Sequence, residues 1–171
     1  MVPSPMDPAV IAGSEREQLL AFVDEHRQGL RDSLEGLTDE QARRSLVPSR
    51  TTLLGLLTHA TFVEQVWFDE AVTGRTRAEI GIVATPDESF VLTDDDTVAS
   101  VLARHEAVCA QSRAAIEDLS LDDLLPGNRR GPLPLRWVLL HVLRELAQHG
   151  GHADILREQI LRDDAGVTAT G

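Results

Sequence analysis

Leu135-Arg136-Trp137-Val138-Leu139-Leu140-His141-Val142-Leu143-Arg144-Glu145-Leu146-Ala147-Gln148-His149-Gly150-Gly151-His152-Ala153-Asp154-Ile155-Leu156 decides the fold. It reads as the body of a strongly apolar helix over about 134–162. At ~100° per residue, Val138, His141, Val142, Glu145, His149, His152 and Leu156 fall within an arc of about 100°. Leu135, Leu139, Leu143 and Leu146 make the rest of the surface apolar nearly all round, the pattern of a largely buried helix. Its carboxylate and imidazoles are therefore expected to point inward, where an unpaired charge costs several kcal/mol. Gly150-Gly151 costs roughly 1 kcal/mol per residue relative to Ala within a helix, which suggests a close approach of a helix or ligand.

Working outward, three more long helices are expected. Ser14-Glu15-Arg16-Glu17 is a capping box that opens a stretch with Leu19, Phe22, Val23, His26, Leu30 and Leu34 at helical spacing, stopped by Gly36. Thr38-Asp39-Glu40-Gln41 caps a short helix ending before Pro48. The next long helix runs over about 51–73 and closes at Gly74. Residues 75–96 read as a long, mostly irregular connection, of the kind that tends to be functional or mobile. A helix from Asp96 or Thr97 to about Leu119 carries Val98, Val101, Leu102, His105, Val108 and Ile116. Residues 120–134 are turn-rich. No repeat or linker divides residues 13–162, and residues 1–12 and 163–171 are expected to be flexible ends. Four long helices without a hairpin pattern give an all-α four-helix bundle with long crossover connections.

Composition agrees with a helical core. The 171 residues are 42% hydrophobic and 26% charged, with 4% aromatic residues and no Tyr, so the core rests on Leu, Val, Ile and Ala rather than on strand-favouring aromatics. The net charge of −12, with every basic residue an Arg, disfavours a nucleic-acid partner. No apolar run reaches the roughly 18–20 residues of a membrane span. No secretory leader pattern is visible, and the lone Cys109 fits a reducing cytoplasm.

The polar stripe is the chemical signal. Glu145 and His149 stand four apart on one face and can reach a single cation. His59 shares its helix face with Leu56, Val63 and Val66, and is the candidate third ligand. Two imidazoles and a carboxylate suit Zn²⁺, Ni²⁺ or Fe²⁺ and leave a coordination position open. The plainer alternative is that Glu145 pairs with Arg144, Arg136 or a histidine of its own helix. His141 and His152 read as packing or near-metal residues, and Cys109 as a small buried hydrophobe.

Leu53-Leu54-Gly55-Leu56-Leu57-Thr58-His59-Ala60 with Val63-Glu64-Gln65-Val66-Trp67-Phe68, followed by the 135–158 segment, resembles the DinB-like superfamily over about Glu15–Arg162. The similarity is greatest to its actinobacterial branch of unknown function. The resemblance implies a four-helix bundle, often dimeric, with a metal (Zn or Ni foremost) on His59, Glu145 and His149. Glu at the first last-helix position is similar to the mycothiol-dependent maleylpyruvate isomerases, whose additional C-terminal domain this chain lacks the length to hold. His152 stands where other branches have Gln, as a fourth ligand or a proton-transfer group.

Three functions follow as expectations. In the first, a cytoplasmic homodimer uses its metal to activate a low-molecular-weight thiol, mycothiol or bacillithiol, for transfer to an electrophile or for an isomerisation. His152 or His141 then serves as acid/base, and Arg136, Arg144 or the loop pair Arg129 and Arg130 holds an anionic substrate. The second is metal-dependent hydrolysis, for which the H-E-x-x-H general base is missing. The third is a non-catalytic metal-binding or stress-related module.

Overall fold

A computed structural model describes residues 4–168. Its helices are α1 (Pro8–Ile11), α2 (Glu15–Asp32), α3 (Asp39–Ala42), α4 (Leu53–Gln65), α5 (Ala71–Thr73), α6 (Arg77–Ile80), α7 (Val98–Ala115) and α8 (Leu135–Thr168). A π-helical turn, Val66–Glu70, joins α4 to α5 without a break, and a 3₁₀ turn spans Glu88–Phe90. The two short strands β1 (Leu124–Leu125) and β2 (Leu133–Pro134) pair antiparallel ahead of α8. The fold is an all-α bundle of α2, α4–α5, α7 and α8.

Local chemistry sets the helix ends. Ser14 and Glu17 bond reciprocally at the start of α2, as do Thr38 and Gln41 at α3. Thr52 caps α4 through the amide of Gly55, and Gly74 ends α5 in the left-handed region at φ 74°. α8 outruns its expected end at 162: Asp164 accepts from Gln41 and Arg44, which tie that turn to α3 and its exit. Within the first end, expected to be flexible, residues 8–11 form a helical turn, because Asp7 caps it and Pro8 starts it. The expected flexibility of residues 1–3 and 169–171 lies outside the described residues.

α4 is the central element, buried on nearly every side against α7 and α8, while α2 packs along α8. Leu54, Leu57, Phe68, Leu139, Leu146 and Ile160 anchor the core. Inside it lies a charge pair that no periodicity announces. Arg27 of α2 donates to both Glu64 oxygens, from Nε at 2.8 Å and from a terminal nitrogen at 2.5 Å, and both residues are buried. Asp24 accepts from the same guanidinium and from Arg113, linking α2 to α7. Such a fork satisfies two charges that would each be costly alone.

α8 is not buried all round. Trp137, Leu140 and Ile155 are exposed, because only one side of this helix meets α2 and α4. Gly150 and Gly151 admit no close neighbour: a Cβ at either position would meet open space. Gly55 does make a tight approach: a Cβ there would stand 3.2 Å from the Phe90 carbonyl oxygen.

Candidate metal centre

The bundle brings His59 on α4 together with Glu145 and His149 on α8, and one ligand atom from each lies within 4.8 Å of the others. His59 comes from the middle of the buried helix, so its ring is fixed by packing on both sides. The His59 ring stacks on Phe90 with centroids 4.1 Å apart and meets His149 edge-on at 4.8 Å. Phe90 arrives on the 3₁₀ turn of the long connection, which Gly55 allows to sit close against α4.

The same turn fixes the tautomer of His59. Ser89 donates its hydroxyl hydrogen to the Pro86 carbonyl, at 2.5 Å. It lies 2.7 Å from His59 Nδ1 and has only lone pairs left to offer there. His59 therefore donates from Nδ1, and Nε2 keeps its lone pair. Burial, reinforced by His149 and opposed by Glu145, pushes the His59 pKa down to about 4. Burial also lowers His149, again against Glu145. Both imidazoles are neutral at pH 7, the form that binds a cation.

Three observations test the fit to a divalent metal. The donor set is two neutral imidazoles and a carboxylate, suited to Zn²⁺ and its neighbours. Glu145 Oε2 lies 3.7 Å from His149 Nε2, close but not in a hydrogen bond. His149 Nδ1 is buried with no hydrogen-bond partner, a state that is costly for an imidazole. The residues fit.

Beside this cluster opens a cleft of about 200 Å³. Phe62, Val63, Val66 and Trp67 line its apolar wall, and His59, His141 and Glu145 its inner end. His141 stacks on Trp137 at 5.0 Å and tilts against Trp67 at 4.4 Å, with Nε2 3.8 Å from Glu145 Oε1. Burial lowers its pKa too, against the pull of Glu145.

The other sequence candidates scatter. His152 is exposed; its ring is 5.7 Å from that of His149, it is outside the ligand cluster, and it lines a separate groove with Val47 and Ile155. Arg136 pairs with Glu15 and Asp122 on the outside of the bundle. Arg144 bonds Glu145, so the plainer ion-pair reading coexists with the cluster. Arg129 and Arg130 line the cleft. Ser89, Phe90 and the Trp67–Trp137 pair were not legible as site residues, since they meet the histidines only through tertiary contacts.

An all-α bundle with a histidine on one central helix facing a Glu-x-x-x-His pair on its last helix is the arrangement of a DinB-like protein. The family model of mycothiol-S-transferases matches residues 18–161, and the chain belongs to that family. A solved structure titled as a conserved protein of a locus from Enterococcus faecalis is similar in fold. Its TM-score is 0.62 at 15% identity, covering 88% of this chain and 99% of that one. No curated protein matches the chain.

Proposed function

We propose that the protein transfers a low-molecular-weight thiol, mycothiol in the first instance, to an electrophile at a metal held by His59, Glu145 and His149. The observation that carries this reading is the convergence of these three donors at the inner end of a cleft, in a chain of the mycothiol-S-transferase family. A divalent ion there, Zn or Ni, supplies Lewis-acid stabilisation of a thiolate at neutral pH. The chain's own groups do the rest. His141, neutral and facing the cleft, is placed to take the thiol proton; His152, turned to another groove, is not. The sulfur lone pair forms a bond to the electrophilic carbon, and the leaving group departs with its bonding pair. Trp67 and Val66 exclude water from the reacting atoms. The reading implies a cytoplasmic homodimer, and the exposed Leu140 and Ile155 of α8 support a self-association that light scattering measures.

Plasma mass spectrometry on untagged protein purified without chelator tests the site. We expect near one equivalent of Zn or Ni in the wild type and almost none in His149→Ala. Mycothiol consumption with a fluorogenic electrophile should then require the metal. Protein that neither carries nor takes up Zn²⁺ or Ni²⁺ would sink the reading.

A further inference from the structure

We infer that Arg129 and Arg130 form an anion clamp at the mouth of the cleft, which makes the acceptor a small carboxylate-bearing electrophile with a flat apolar body. The inference rests on the proposed thiol transfer and names its second substrate.

Both arginines are exposed and both line the cleft. Among the described residues neither guanidinium makes an ion pair or hydrogen bond. That is unexpected in a chain of net charge −12, where most other arginines hold a carboxylate, as Arg27, Arg77 and Arg136 do. The acidic groups of the cleft are already engaged: Glu70 with Arg77, and Glu145 with Arg144 and the histidines. The charge left unmatched at the mouth is positive.

The loop that carries it is anchored. Gly127 donates its amide to the Ala71 carbonyl at 2.9 Å, and a Cβ on Gly127 would stand 1.9 Å from the Glu70 carbonyl oxygen. Only glycine allows that approach. Asn128 Oδ1 accepts from the Arg130 amide at 2.9 Å, and the Asn128 carbonyl accepts from Gly131 at 2.9 Å, closing a turn with the two arginines at its central positions. A planar guanidinium group matches the geometry of a carboxylate. Below the arginines the wall of Phe62, Val66 and Trp67 suits a flat apolar body. About 200 Å³ is less than the ~300–1,000 Å³ of drug-sized sites, so the part of the acceptor that the cleft encloses is small. His59 and Glu145 line the same cleft, so a molecule held by the arginines lies beside the proposed thiol site.

Benzoate and its uncharged isostere benzamide are the probes, titrated by calorimetry into Zn-loaded and chelator-stripped full-length protein. Emission from Trp67 and Trp137, the protein's two tryptophans, gives a second readout at the cleft itself. Benzoate should bind both forms, benzamide at least tenfold more weakly. The double variant Arg129→Gln/Arg130→Gln should lose roughly tenfold in benzoate affinity, while Arg162→Gln should lose nothing. Added salt should weaken benzoate binding. Benzoate held only by the Zn-loaded form and indifferent to the double variant would place the carboxylate on the metal and overturn the clamp. Equal affinity for benzamide, or no benzoate binding by any form, would overturn it as well. Failure of the thiol-transfer reading shows separately, in metal content and mycothiol turnover, neither of which enters the stripped-protein titration.

Discussion

Ser89 illustrates how much a single hydroxyl can decide. Its own proton is committed to Pro86, so it can only accept from His59, and that leaves Nε2 facing the other two ligands. Removing an outer hydrogen-bond partner of a metal-binding histidine typically costs 10–100-fold in metal affinity. Ser89→Ala should therefore weaken Zn²⁺ binding by about that factor, read by competition with a chromogenic chelator. The apo variant should melt within a few degrees of wild type; affinity unchanged within twofold would remove Ser89 from the site. Glu145 and His149 were legible because helical periodicity is local, and four residues apart is a contact. Ser89 and Phe90 were not, because a serine in an irregular stretch carries no periodic mark, and its partner is thirty residues back on another element.

The elements themselves were largely written in their caps. Ser14 and Thr38 start helices where the capping boxes put them, and Gly74 stops one. The connection over 75–96 was expected to be mostly irregular; it holds α6, capped by Thr76 and Glu79, and the turn that buttresses His59. The last helix also departs from expectation at its glycines. Gly150 and Gly151 were expected to make room for a neighbour, yet nothing stands within 4 Å of a Cβ at either. Their backbone freedom then opposes folding without a packing return. Gly150→Ala/Gly151→Ala should stabilise the protein by about 1–2 kcal/mol, seen as a higher urea midpoint at unchanged metal stoichiometry. A lower midpoint would mean that the helix needs to bend there.

At the scale of the molecule, acid should loosen the bundle through His105. This ring is wholly buried between α2 and α7, with Nδ1 3.2 Å from Arg31 and its ring nitrogens 3.6–3.7 Å from Cys109 Sγ. Burial, then Arg31, Arg27 and Arg113, pushes its pKa down to about 3. The folded state thus binds fewer protons than the unfolded chain between pH 6.5 and about 3, so stability is complete above 6.5 and falls as pH drops through that window. One such group is worth about 1.4 kcal/mol per pH unit, so wild type should lose about 2 kcal/mol between pH 6.5 and pH 5 that His105→Gln does not lose. Denaturation curves at the two pH values decide it, and parallel losses would exonerate the histidine. The bundle also joins distant segments through one irregularity. The π-helical turn at Val66–Glu70 fits an extra residue into the helix that carries His59, and so resets the rotation of everything after it. Ala71, just beyond, is where Gly127 docks. Deleting one residue from that turn would swing the docking carbonyl by about 100° around the helix axis. A chain shortened there would have to carry its cleft-mouth loop elsewhere, and with it the arginines proposed to choose the acceptor.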